Sequence, residues 1–462
     1  MNLRDTARKI FDQSLADCSV EQAVARHVSV RDQTLHVGEE TMDLRRVQRV
    51  RIVAVGKAAR TMLVSLLQQL ILPTECDVAG ALIAPEESRN PDTRLPRGIE
   101  FFAGGHPSPN QASFAGARAA LAILRALPRE TAESSLCFFL ISGGASAMME
   151  LPLDSSISLD DTAGFHRALV GSGASITEIN CVRKHFSAVK GGRLARAAGN
   201  AVCRSLLLSD VPIGREDALG SGPTVPDSST IEECREILER YQLLPKFPTA
   251  VRQFFESDAL VETPKPDGLQ GRATVLLSAQ TLAEAAANNA RALGYFPVID
   301  NSCDEREYRT AASHLLDRLR TFRLRYPRVC VISTGEVSVT LPANDSTAAI
   351  VGLGGRNQQF ALYAATLLRP EDNPISILSA GSDGIDGNSP AAGAVVDCAT
   401  IPADELSEAT HALEQFDAYS FLSGRGAAIE IGRSGNNLRD LRILIAEPVK
   451  TPRGVEVGLE IP

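Results

Sequence analysis

Residues Leu136-Cys137-Phe138-Phe139-Leu140-Ile141 are apolar at every position, and Ser142-Gly143-Gly144-Ala145-Ser146-Ala147 follows at once. A strand with no polar face must be buried on both sides, which places it inside a parallel sheet covered by helices. The small residues after it let the backbone turn tightly. If a helix then begins, its first amides are unpaired and carry partial positive charge, which suits an anion. One such unit is weak evidence, but the chain repeats it. Arg51–Val55 runs into Gly56-Lys57, and Ser205–Leu208 into Ser209-Asp210, with Gly220-Ser221-Gly222 close behind. Ile375–Ser379 runs into Ala380-Gly381-Ser382-Asp383-Gly384-Ile385-Asp386-Gly387, and Gly354-Gly355-Arg356 opens a further predicted helix.

Around these units the pattern predicts strands at Val78–Ala84, Ile99–Phe102, Thr274–Ser278, Pro297–Asp300, Arg328–Ser333, Val337–Leu341 and Leu441–Ile445. Helical spacing predicts helices over 3–28, Ala115–Leu127, much of 160–200, Ser229–Tyr241, Leu282–Leu293 and Asp404–Glu414. Alternating strands and helices in both halves predict an α/β protein with two α/β domains. A chain of 462 residues exceeds a single core. The expected division is 1–240 and 241–462, with the option that the last strand returns to the first domain.

Composition removes several function classes. A formal net charge of -9 argues against a nucleic-acid partner, although a local cationic patch could still hold an anionic metabolite. The 9 Cys are scattered with no CxxC pair, and the 7 His are irregularly spaced, which reads as reduced thiols and no zinc site. Met1-Asn2-Leu3-Arg4-Asp5 lacks a signal-peptide apolar region, and no run is long enough to span a membrane, so a cytoplasmic location is expected.

Loop amides, cations and carboxylates together suit phosphoryl transfer, where positioning and charge stabilisation do most of the catalysis. Lysine and arginine neutralise phosphate oxygens, while aspartates hold Mg²⁺ or accept a hydroxyl proton. Lys57 at a helix start opposes the helix dipole unless an anion is bound. Duller readings stand beside the functional ones. Arg356 equally suits a surface helix position, Asp383 and Asp386 a turn held by local hydrogen bonds, and His106 a loop brace. Lys184, His185, Lys190 and Arg193 equally suit a solvated helix face. Ser146 and Thr224 lack a neighbouring base, so nucleophilic catalysis is not supported. There is no Gly-x-x-x-x-Gly-Lys-Ser/Thr loop, no protein-kinase signature set, and Gly352-Leu353-Gly354-Gly355-Arg356-Asn357 lacks the third glycine of a dinucleotide fingerprint.

These strings in this order resemble the MOFRL-type glycerate 2-kinase family, whose members are often mislabelled hydroxypyruvate reductases. The resemblance runs through Val53–Ala58, Gly105-His106-Pro107, Phe139–Gly144 and Ile179-Asn180-Cys181-Val182-Arg183-Lys184-His185. It continues through Lys190–Leu194, Ser209-Asp210-Val211, Ser221–Thr224, Gly354–Gln358 and Asp383–Gly387. It implies a Rossmann-like three-layer N-terminal domain, a second α/β domain, an active site in the cleft between them, ATP and Mg²⁺, and conversion of D-glycerate to 2-phosphoglycerate. It implies Lys57, Arg356, Asp210 and Asp383 as catalytic residues. Ser142, Gly143, Gly144, Ser146, Lys190 and Gly222 become nucleotide contacts, and Asp210, Asp383 and Asp386 metal ligands. The expected partner is a small hydroxy acid, with no nucleic acid or membrane, and a homodimer is the expected assembly. The alternatives are an oxidoreductase of the hydroxypyruvate or tartronate-semialdehyde type, or a catalytically silent nucleotide-binding paralogue. Two stretches depart from the family pattern. Gly214 stands where the family has Asp, and Ile431-Gly432-Arg433-Ser434-Gly435-Asn436-Asn437 replaces a run rich in hydroxyls. The arriving Arg433 would suit a substrate with an additional anionic group.

Overall fold

Every residue of the strand Ser135–Ile141 is buried, as its sequence demands. In the computed structural model, which describes residues 2–89, 95–128, 134–211, 215–257, 260–269, 271–341 and 352–448, this strand is central in a six-stranded sheet. The order across the sheet is Ile99–Ala103, Asp77–Ala84, Arg49–Val55, Ser135–Ile141, Val202–Leu208, Arg272–Leu277, all parallel. Numbered along the chain this is 3-2-1-4-5-6, the doubly wound order, whose direction reverses between Arg49–Val55 and Ser135–Ile141. Those two strands end level, Val55 opposite Ile141. The expected α/β fold class is therefore present in this sheet. Val53, Val55, Phe139 and Ile141 meet Ala117, Leu121 and Leu124 of the helix Gln111–Arg125 in its core. A satellite of helices, including Leu159–Val170, Ile176–Phe186 and Thr249–Glu256, closes around Phe165, Phe186, Phe247 and Phe255.

The chain forms two compact units: Ser19–Ser278 with Gly435–Asn437, and Met1–Cys18 with Ala279–Ser434 and Leu438–Pro462. This differs from a division at 240/241 because Arg272–Leu277 is the sixth strand of the parallel sheet. It differs again at the start of the chain, where the expected single helix over 3–28 breaks at Cys18-Ser19. Ser19 accepts from the Gln22 amide and starts a second helix, Val20–His27. The first helix, Leu3–Asp17, buries Ile10 and Phe11 completely and packs on Ala279–Ala292 and Ile375–Gly381, which is why it belongs to the second unit. Two such side chains are worth about 1.5–3 kcal/mol each, enough to fix the helix there.

The second unit holds a six-stranded sheet ordered Phe296–Ile299, Val329–Gly335, Asp440–Ala446, Ile375–Gly381, Gly393–Asp397, Ala428–Ile429. Only the first pair is parallel. The last strand does not return to the first unit. Asp440–Ala446 lies between Val329–Gly335 and Ile375–Gly381, antiparallel to both and buried throughout. The strand expected at Val337–Leu341 is not formed; Ser338 makes one isolated bridge to Glu307. No helix among the described residues is long and apolar enough to cross a membrane.

Candidate active site

In open parallel sheets ligands bind outside the carboxyl ends of the strands, where the strand order reverses. That point is flanked here by Gly56-Lys57 and Ser142-Gly143-Gly144, the two loops the sequence singles out. They are tied to each other: the Lys57 amide donates to the Gly143 carbonyl at 2.9 Å and the Ala58 amide to Ser142 Oγ at 3.1 Å. Gly56 sits at φ +119°, and a Cβ there would run into the Ser142 backbone, so no other residue allows this approach. The tie leaves two features open. The amides of Gly143 and Gly144 donate to no acceptor among the described residues, and the exposed Lys57 ammonium has no hydrogen bond or ion pair among them. His106 lies near enough that burial and the Lys57 charge push its pKa below the ordinary value.

Asp210 follows the strand Val202–Leu208 and presses its carboxylate against Gly143, where a Cβ would overlap it. Ser146 shares a hydrogen bond of 3.0 Å with Ser221, which donates to Asn180 Oδ1 at 3.2 Å. Ser221 holds φ +59° between Gly220 and Gly222, a conformation that non-glycine residues rarely adopt. Gly222 proves to be a backbone clamp: its carbonyl accepts from the Gly192 amide at 2.7 Å and its amide donates to the Leu219 carbonyl at 2.9 Å.

Lys190, expected on the nucleotide, is turned inward. It is 1% exposed, its ammonium bonded to the fully buried Glu150, which also meets His166 Nε2 at 3.2 Å. Burial alone would raise the Glu150 pKa, but the Lys190 charge and the His166 hydrogen bond outweigh it and hold it at about 2. Lys184 likewise is no solvated helix residue, since it pairs with the buried Asp227 at 3.1 Å and with Asp217 at 3.4 Å.

In the second unit the corresponding groups meet where Val329–Gly335 and Ile375–Gly381 end and Asp440–Ala446 begins. Arg356 opens the helix Arg356–Thr366 and grips Asp440 with two bonds, Nε at 2.6 Å and Nη2 at 3.0 Å. It also reaches Glu336 at 2.9 Å. Burial would lower its pKa, but these carboxylates outweigh that and hold the guanidinium protonated more firmly than usual. Asp386 has a structural task. It accepts from the Asn357 amide at 3.1 Å and the Gln358 amide at 2.9 Å, capping the helix whose own N-cap residue, Gly355, has no side chain. Burial, helped by the nearby Asp440, pushes its pKa up to about 7 against the pull of those amides and Arg356. Asp383 is half-buried and accepts from the Ile385 amide at 3.1 Å, the turn bond anticipated for it. The loop carrying Arg433 lies on this turn, where the Ser434 amide donates to the Asp383 carbonyl at 3.0 Å. The departure at Gly214 lies outside the described residues.

Sequence reasoning missed the acids that hold the cations. Asp440 is 1% exposed and Arg442 is fully buried over the Phe360 ring. Their i, i+2 spacing puts both on one face of an apolar strand, a signal the sequence did offer. Glu150, His166 and Asp304, which holds Arg439 with bonds of 2.6 and 2.7 Å, had no spacing to reveal them. Nor did spacing reveal that Cys181, His185 and Cys234 converge, with ligand atoms within 4.8 Å, into a buried cluster that could hold a metal ion.

The chain is similar to known proteins along most of its length. The family described as a domain of unknown function (DUF4147) matches residues 6–256, and the MOFRL family matches residues 329–440. A glycerate 2-kinase of Pyrococcus horikoshii is 32% identical, covering 96% of this chain and 98% of that protein. A protein of Agrobacterium vitis called a putative hydroxypyruvate reductase is 30% identical, covering 96% and 95%. The crystal structure of a glycerate kinase from Thermotoga maritima superposes with a TM-score of 0.80 at 30% identity, covering 96% of this chain and 99% of that one. With its doubly wound first unit, its mixed second unit and these relatives, the chain belongs to the MOFRL-type glycerate 2-kinase family.

Proposed function

We propose that this protein is an ATP-dependent kinase that phosphorylates the 2-hydroxyl of D-glycerate. The observation that carries the reading is the crevice at the strand-order reversal. An exposed lysine stands there beside two glycine amides, all three without a partner among the described residues, in a chain of this family. Such a site is prepared for phosphate oxygens before any ligand arrives. Lys57 neutralises charge on the transferring phosphoryl group, and the Gly143 and Gly144 amides orient its oxygens. Arg356 cannot swing freely; held by Asp440 and Glu336, it supplies a fixed positive field at the strand ends of the second unit.

The aspartates differ in their fitness for Mg²⁺. Asp386 spends both oxygens on helix amides and does not fit. Asp210 in the first unit and Asp383 in the second are half-buried carboxylates at loop ends, so each by itself fits a ligand to the ion in its own unit. Bound there, Mg²⁺ would shield phosphate charge during transfer. A nicotinamide enzyme would share the 3-2-1-4-5-6 strand order, but its first turn needs the glycine fingerprint, and here that turn reads Gly56-Lys57-Ala58-Ala59.

The test is ATP consumption with Mg²⁺ over D-glycerate, L-glycerate, hydroxypyruvate and tartronate, with the product position read by ³¹P NMR. Formation of 2-phosphoglycerate is expected. ATP-independent oxidation of NADH by hydroxypyruvate would overturn the proposal. Preference for tartronate, abolished in Arg433→Ala, would instead redirect the substrate to a dicarboxylic hydroxy acid.

A further inference from the structure

A cavity of about 600 Å³ adjoins the Gly144 turn, lined among others by Ser146, His106, His166, Arg167 and Arg183. Its charge is unusual: two arginines and two histidines line it, and no carboxylate does. Neither guanidinium has a hydrogen bond or ion pair among the described residues, and Arg183 Nε is buried without a partner. Behind the wall, Glu150 is already matched by Lys190. The half-buried Arg183 feels the charge of Glu150 but shares it with Lys190, and burial weakens its protonated form, so an anion in the cavity would complete its compensation. A second cavity in the same unit, lined by Lys184, Asp217 and Asp227, shows the ordinary arrangement in which acids answer the cations.

His166 adds a complementary demand. Its Nε2 faces Glu150, which accepts the ring proton, so Nδ1 is left as a buried acceptor with no partner among the described residues. Burial lowers the imidazole's pKa and keeps it neutral in that role. The site thus calls for a molecule with several anionic oxygens and a hydroxyl donor. Pro107, Pro109 and Ala147 supply apolar wall. The volume suits a nucleotide and far exceeds a three-carbon acid.

We infer that this cavity seats an adenine nucleotide, with Arg183 and Arg167 on phosphate oxygens and His166 Nδ1 accepting from a ribose hydroxyl. The assignment rests on the kinase reading and names residues for its nucleotide side. It also gives Arg183, within Ile179–His185, a task beyond holding a helix.

Calorimetric titration of the full-length protein with ADP, without turnover, tests it apart from the reaction. Arg183→Met should weaken ADP binding about ten- to a hundredfold, the loss of a charge-assisted phosphate contact. The exposed Arg167→Ala, which threatens no core, should weaken it several-fold. The KM for D-glycerate should move less than twofold in either variant, and Arg183→Lys should recover part of the affinity. A wild-type protein that binds ADP and loses it on Arg183→Met, yet phosphorylates no acid, would sink the kinase reading and leave this site standing. Unchanged ADP affinity in both folded variants would overturn the inference, as would a raised KM for glycerate with ADP binding intact.

Discussion

The two units present the same sequence device, an apolar strand ending in glycines and charges, and use it in opposite ways. In the parallel sheet the loops leave their groups open: Lys57 has no partner and the Gly143 and Gly144 amides no acceptor among the described residues. In the mixed sheet the protein answers its own charges. Asp440 and Glu336 hold Arg356, Asp304 holds Arg439, and helix amides hold Asp386. The first arrangement waits for an anion, and the second is a fixed electrostatic frame. Sequence motif alone cannot tell them apart, because the answering acids lie far along the chain: Asp440 is 84 residues from Arg356.

The sharpest way to break this comparison is to remove each cation in turn. Lys57→Met should cost activity without stability: kcat falls about a hundred- to a thousandfold, as when one preorganised oxyanion contact is lost. Thermal unfolding should stay unchanged, because nothing in the fold leans on that ammonium. Arg356→Met should cost both. It strands the buried Asp440, and breaking such a pair destabilises by about 3 kcal/mol, the lower end of the usual range. The lower end applies because Arg356 is 37% exposed and Arg442 remains 3.5 Å from Asp440. Kinetics and a thermal melt on both variants check the pair. Equal melting losses would erase the distinction between the units.

How much of this was legible beforehand follows the range of the interactions. The strands of the parallel sheet, the glycine turns and the pairing of α with β were readable because apolar runs and turn residues act locally. Gly56 and Gly143 were legible as turn residues at strand ends, and Lys57 as a cation badly placed without an anion. The inward turn of Lys190 was not, because Glu150 is 40 residues away. The fate of the N-terminal helix and the central place of Asp440–Ala446 were equally hidden. Both depend on partners far along the chain: Ala279–Ala292 and Ile375–Gly381 for the helix, Val329–Gly335 and Ile375–Gly381 for the strand.

The titrations of the two units should run in opposite directions. Asp386, pushed up to about 7 from 3.8, keeps a proton in the folded state that the unfolded chain has released, so stability falls as pH rises from about 4 to 7. The slope cannot exceed about 1.4 kcal/mol per pH unit for one group. Glu150, held at about 2 against 4.5, contributes stability that is complete above 4.5 and lost as pH falls toward 2. Urea unfolding across pH should show Asp386→Asn flattening the upper window only, and Glu150→Gln the acid window only. A variant that flattens the other window would refute the assignment of its group.

The smallest effect sharpens the comparison at the backbone. Each unit carries a non-glycine residue in the left-handed region beside its site: Ser221 at φ +59° and Arg439 at φ +68°. That conformation costs about 1–2 kcal/mol, which glycine would recover. In Arg439→Gly the gain is overwhelmed by the loss of two short bonds to Asp304, so clear destabilisation is expected. In Ser221→Gly the lost hydroxyl bonds to Ser146 and Asn180 are neutral ones worth about 1 kcal/mol each. The two contributions nearly cancel, and stability should shift by less than about 1 kcal/mol. Ser221→Ala keeps the strain and loses the bonds, so it should melt below both wild type and Ser221→Gly. If Ser221→Ala instead melts with wild type, the hydroxyl relay carries no weight in the fold, and Ser221 holds its strained shape for the site alone.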